Sequence, residues 1–192
     1  MVKRKIISFD CDGVITPGGY VPVEDRTNAK YAKILPHDDA IPSLHWLSTL
    51  YDIYIISQRS HENSNLGLRA WLHWILGLEL DTIAGVITGP SGGASEGTYM
   101  DKIQVVDALG SVVHFDDNPH HLEGMSQGVL FPSDIPSSQE DINKYPTVFG
   151  GWAGVREFLT TPGMILYGTD RQIVSPAAVA IIDPATVTPM VQ

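Results

Sequence analysis

Ile6-Ile7-Ser8-Phe9-Asp10-Cys11-Asp12-Gly13-Val14 is an apolar run that stops abruptly in two carboxylates one residue apart, with a glycine where the chain can turn. The run reads as a buried strand. A buried strand is a costly place to deliver two negative charges, because a carboxylate withdrawn from water needs a cation, a proton or hydrogen bonds. The rest of the sequence is therefore read for groups that compensate Asp10 and Asp12.

Four further segments have the same strand character: residues 51–57, 82–88, 111–115 and 128–131. Helices are expected between them. One is capped by Asp38 or Asp39 and runs to about Leu50, with Ile41, Leu44, Leu47 and Leu50 on one face. Others are expected from Ser60 or Asn63 to about Gly77, over Thr98–Leu109, near Pro119–Met125, and over Trp152–Leu159. Alternating strands and helices at this spacing predict an α/β domain with a doubly wound parallel sheet, Rossmann-like in its winding. In such sheets, function gathers at the carboxyl ends of the strands. Three of the strands end in polar groups, Asp10, Ser57 and Asp116.

The chain has 192 residues, a length that suits one domain with a short appendage. The core is expected over residues 1–160, with a small flap or hairpin over 14–24 around the turn signal Thr16-Pro17-Gly18-Gly19. Residues 161–192 carry Pro162, Pro176, Pro184 and Pro189 between short β-prone runs, and read as hairpins or an interaction arm. Hydrophobic residues make up 43% and charged residues 18%, a globular balance. A net charge of −10 argues against a long nucleic-acid footprint, which needs a basic face. The single cysteine, Cys11, excludes an internal disulfide and fits a reducing compartment. Asp10 interrupts the N-terminal apolar run too early for a secretion signal. No stretch approaches the roughly 20 apolar residues of a membrane span. The expectation is a cytoplasmic protein.

Asp10-Cys11-Asp12-Gly13-Val14 resembles the first motif of the haloacid dehalogenase superfamily in its phosphatase form. Ser57 resembles the second motif, a hydroxyl closing a strand. Lys102 resembles the third, a lysine on the helix before the last motif strand, and Asp116-Asp117 the fourth, an acidic pair closing that strand. The resemblance covers roughly residues 5–131 in order. It implies a phosphomonoester hydrolase that works through an aspartyl-phosphate. Asp10 would be the nucleophile, and Asp12 the acid and then the base. Ser57 and Lys102 would bind phosphate, and Arg59 resembles an arginine that some members place after the second motif to bind substrate. A magnesium ion, Mg²⁺, is expected on Asp10, the carbonyl of Asp12, and the fourth-motif acids. Asp117 would be the direct ligand and Asp116 one step removed. Dehalogenase branches lack the acid at the position of Asp12.

No large insertion separates the motifs, so the resemblance points to the capless or minimally capped branch, similar to nucleotidases and polynucleotide 3′-phosphatases. Its substrate would be a small phosphorylated molecule or a nucleic-acid end. A second reading is a non-catalytic binding or structural protein of the same fold. It would dock to a second copy or to a protein partner through residues 161–192.

Other readings of these residues are weaker. An EF-hand beginning at Asp10 fails because its last ligand position falls on Val21. The glycines of Gly89–Gly97 lack the Lys-Ser/Thr of a P-loop. Cys11 reads as a buried spacer. The spacing of His114, His120 and His121 matches no common zinc site. Trp46, Trp71, Trp74 and Trp152 read as packing residues.

Overall fold

The computed structural model describes residues 4–17, 34–58, 68, 70–73, 82–89, 100–132 and 138–162. Arg59, Trp74, residues 18–24 of the expected flap and the segment from 163 onward lie outside the described residues.

Five strands form one parallel sheet: β1 (Ile6–Phe9), β2 (Asp52–Gln58), β3 (Gly85–Gly89), β4 (Ser111–Asp116) and β5 (Gly128–Leu130), in the order β3-β2-β1-β4-β5. This is the predicted doubly wound α/β architecture, with β1 in the centre. Order reverses on either side of β1, so the crevice of a doubly wound sheet falls at its carboxyl end, where Asp10 stands.

Two cores cover the two faces, as period-2 alternation requires. On one face Ile7, Phe9, Ile55, Val113, Phe115 and Val129 pack against α1 (Ala40–Ser48) and α5 (Gly151–Thr160). On the other, Ile56 and Leu130 pack with Val106 of α2 (Lys102–Leu109) and Leu122 of α3 (Pro119–Leu122). Phe9 and Phe115 are register partners whose rings stack at 5.0 Å. Phe9 also lies 5.1 Å from the Trp152 ring. Phe9 and Phe115 immediately precede Asp10 and Asp116, so this aromatic cluster packs one residue before the carboxylates on both strands. Leu68 and 70–73 are also helical, and Leu68, Trp71 and Leu72 are buried.

Several expectations are corrected. Val14 and Ile15, β-formers assigned to the flap, are fully buried core residues. The chain turns within 11–16, where Ile15 N–H and Thr16 N–H both donate to the Cys11 carbonyl at 2.8 and 3.0 Å. The Trp152 indole N–H then ties Val14 O to α5 at 2.9 Å. Helix α1 ends at Ser48, so Leu50 is 46% exposed and outside the apolar face. Asp39 precedes α1 in a left-handed conformation (φ 62) and makes no side-chain cap; its carboxylate faces Arg156 at 3.9 Å. Trp46 is 40% exposed and does not belong to the core. Helix α4 (Gln139–Lys144) was not anticipated from periodicity. It buries no residue and is held by a capping box between Ser138 and Asp141. Among the described residues, no helix is long and apolar enough to cross a membrane.

Candidate active site

The Asp10 N–H donates to Phe115 O at 2.8 Å, carrying the β1–β4 ladder one residue past the strand. Its carboxylate is therefore delivered at a fixed depth and is 6% exposed by residue. One oxygen accepts from Cys11 N–H at 2.7 Å, and the other from the Lys102 ammonium at 2.9 Å. Asp12 follows two residues on and is exposed.

Gly13 has φ +85, a conformation that L side chains rarely adopt. A Cβ there would lie 2.0 Å from Oδ2 of Asp117. Glycine is therefore required both for the turn and for the approach of Asp117 to the Asp10–Gly13 backbone.

Lys102 was expected within a helix from Thr98. The helix begins at Lys102, because Asp101 caps it, accepting from Ile103 N–H at 2.9 Å and Gln104 N–H at 3.5 Å. The shorter helix matters. Side chains in an α-helix tilt toward its N-terminus, so a first-turn lysine reaches past the helix end into the crevice. There its ammonium meets Asp116 at 2.6 Å as well as Asp10.

Asp116 closes β4 with no exposure at all. Besides Lys102, it faces three donors. Asn118 N–H is 2.9 Å from one oxygen, His121 Nδ1 is 3.1 Å from the same oxygen, and His114 Nε2 is 3.4 Å from the other. His114 in turn holds Ser8 Oγ through Nδ1 at 3.0 Å. Ser8, His114, Lys102 and Asp116 are all buried, so a polar column runs under the sheet beside the second core. Ser57 lies at the end of β2, 1% exposed. It stands two residues beyond Ile55, the register partner of Phe9. The described structure thus brings Asp10, Lys102 and Asp116 into direct contact, lays Asp117 over Gly13, and places Ser57 on the adjoining strand end.

His114 and His121 were weighed only as zinc ligands, and their place with Asn118 around Asp116 was missed, although signals for it exist. His114 is two residues before Asp116 on a strand and so shares its face. Asn118-Pro119 is a helix-start signal that sets His121 one turn back over Asp116.

The electrostatics are unequal. Burial pushes the Asp10 carboxyl up, and Lys102 offsets this only in part. Burial would also raise Asp116, but the Lys102 charge and the hydrogen bonds from His114 and His121 outweigh it and hold that carboxyl well below its usual range. Burial disfavours the Lys102 ammonium, yet Asp10 and Asp116 together keep it protonated beyond the ordinary lysine value. Two buried carboxylates against one ammonium leave one negative charge uncompensated.

That residual charge favours a cation. Asp10, Asp116 and His121 each offer one ligand atom, and these atoms lie within 4.8 Å of one another. Two carboxylates and an imidazole are a donor set that divalent metals accept. The Lys102 ammonium contacts all three, at 2.9, 2.6 and 3.2 Å, so it competes for that position.

No family model matches the sequence, and no curated protein matches it. Solved structures match its architecture. A haloacid dehalogenase-like hydrolase from Streptococcus pneumoniae superposes with a TM-score of 0.53 at 10% identity, covering 83% of this chain and 100% of that one. A 2-haloacid dehalogenase from Pseudomonas syringae pv. tomato gives a TM-score of 0.51 at 12% identity, covering 81% and 98%. At these identities the likeness is one of fold: the chain has the α/β architecture found in haloacid dehalogenase-like hydrolases.

Proposed function

We propose that the protein is a metal-dependent phosphomonoester hydrolase that works through an aspartyl-phosphate on Asp10. The observation that carries this reading is the Lys102 ammonium shared between Asp10 and Asp116 at the carboxyl end of the central strand. Such a site offers a carboxylate nucleophile with a phosphate-binding cation beside it, which phosphoryl transfer requires.

In the first step an Asp10 oxygen attacks phosphorus and the P–O ester bond breaks. The leaving oxygen takes a proton from the Asp12 carboxyl. In the second, the Asp12 carboxylate takes a proton from water, the water oxygen attacks phosphorus, and Asp10 and inorganic phosphate are released. Asp12 suits this exchange because it is exposed and lies only two residues from Asp10. Lys102 neutralises the transferring oxygens, and Ser57 is the candidate hydrogen-bond donor to them.

A divalent ion supplies further charge neutralisation when bound. The resemblance would place it on Asp10, the carbonyl of Asp12 and Asp117, while Asp116 and His121, the other ligand atoms near Asp10, are in contact with Lys102. Oxygen donors of this kind suit Mg²⁺. Substrates would be nucleotides or other small phosphate esters, or terminal phosphates on nucleic acid. The dehalogenase chemistry named for one structural neighbour competes on fold alone, and the acid at position 12 favours a phosphate ester.

Turnover of an aryl phosphate with Mg²⁺, and then of nucleotides, sugar phosphates and 3′-phosphorylated oligonucleotides, tests the reading. Activity is expected to vanish with EDTA, and in Asp10→Asn to fall by at least ~10³-fold, as for loss of a catalytic nucleophile. Full activity in Asp10→Asn, or chloride release from a 2-haloacid with no phosphatase activity, would overturn it.

A further inference from the structure

The hydrogen bonds around His121 have a direction that can be worked out from one end. Asn118 caps α3, its Oδ1 accepting from His120 N–H at 3.1 Å. That bond fixes which way the amide points, so Nδ2 is the atom facing His121 Nε2 at 3.3 Å. An amide nitrogen only donates, and Nε2 must accept. A neutral imidazole that accepts at Nε2 carries its proton on Nδ1. Nδ1 is the atom 3.1 Å from Asp116 Oδ1. The chain of donors thus runs one way, from the Asn118 amide through the His121 ring to the Asp116 carboxylate.

His121 in this tautomer gives Lys102 no acceptor, although the two nitrogens are 3.2 Å apart. The ammonium is left to bond Asp116 and Asp10. Asp116 meanwhile receives Lys102 and His114 on Oδ2 and Asn118 N–H on Oδ1, while His121 Nδ1 lies between the two oxygens, 3.1 Å from Oδ1 and 3.2 Å from Oδ2. A carboxylate has roughly four acceptor sites, so these partners fill it. Asp116 then serves as an anchor rather than a ligand, and its orientation sets where the ammonium stands.

We propose that Asn118 and His121 are positioning residues for phosphoryl transfer: Asn118 fixes the Nδ1–H tautomer of His121, and His121 locks Asp116 so that the Lys102 ammonium is held against Asp10. The catalytic part of this statement rests on the phosphatase reading above; the tautomer does not.

Two measurements on the full chain test it separately. Long-range ¹H–¹⁵N spectra of the imidazoles, at alkaline pH and without metal, are expected to show His121 with Nδ1 protonated. Asn118→Asp keeps the cap oxygen but loses the amide donor, and is expected to abolish that signature while the protein stays folded. A wild-type His121 protonated on Nε2, or an unchanged signature in Asn118→Asp, would overturn the proposal. In turnover of an aryl phosphate, His121→Ala is expected to lower kcat by about 10-fold or more, as removal of residues behind a catalytic group does, with KM little changed. His121→Asn restores an N–H near the Nδ1 position and is expected to recover most of the loss. A His121→Ala variant with lowered thermal stability but unaltered kcat would reduce His121 to a structural role and overturn the proposal. A wild type inert toward every phosphate ester would sink the phosphatase reading, and the spectra would still decide the tautomer.

Discussion

Lys102 divides one positive charge between two carboxylates, and the division is uneven: 2.6 Å to Asp116 against 2.9 Å to Asp10. The pH dependence of stability follows from it. Asp10 has a folded pKa above the ordinary 3.8, because burial penalises its charge. As pH falls toward 3.8, the native state binds this proton before the unfolded chain does, so stability rises. Asp116 has a folded pKa well below 3.8, because Lys102 and its histidine partners overcome burial. Its contribution is present above 3.8 and is lost as pH falls further, since the unfolded chain then binds the proton first. Urea midpoints of the metal-free protein are therefore expected to climb on the acid side of neutrality and drop below 3.8. Asp10→Asn should remove the climb and Asp116→Asn soften the drop. A midpoint that falls steadily from neutral pH, in both variants alike, would contradict this assignment. Of these residues Asp10, Asp116 and Lys102 were legible as side chains because strand ends and motif order mark them. Lys102 was expected to compensate the carboxylates of β1; its closer contact with Asp116 was not foreseen, because it depends on how far α2 extends toward the sheet.

Helix α2 illustrates why element boundaries resisted reading. Apolar periodicity extends back to Met100, and nothing in it distinguishes a helix from Thr98 from one that starts at Lys102. The deciding contact is local, the Asp101 carboxylate on two backbone N–H groups. Asp101→Ala is expected to cost about 0.5–2 kcal/mol in chemical denaturation, the usual worth of such a cap. It should also lower phosphate affinity, since Lys102 is the next residue and loses its fixed start. Unchanged phosphate affinity alongside lowered stability would show that the cap does not aim the lysine. The same limit explains α4 and the 11–16 turn. A capping box and a glycine turn are short-range devices, whereas periodicity reports only on elements that bury a face. The role of His114 and His121 beside Asp116 was missed for another reason. His120-His121 resembles a loop, and only the pairing of Ser8 with His114 across β1 and β4 shows that a polar column exists.

At the scale of the molecule the sheet is graded. Central β1 is paired on both sides, and its Ile7, Ser8 and Phe9 are fully buried. Edge strand β3 is half-buried along its whole length. Hydrogen exchange should therefore be slowest at Ile7 and Phe9, near the limit set by global unfolding, and markedly faster through Gly85–Gly89. Equal rates in the two strands would indicate a single cooperative opening without an edge. The central position of β1 also bears on how the chain is made. Ile6 precedes all its strand partners in synthesis, yet it pairs with Asp52 on one side and Ser111 on the other. The ribosome thus releases the most apolar strand of the sheet long before either neighbour can cover it. For that interval Asp10 and Asp12, the charges that make the folded strand expensive, are expected to keep its exposed end wet and to discourage it from pairing with another nascent chain, the work of gatekeepers during translation.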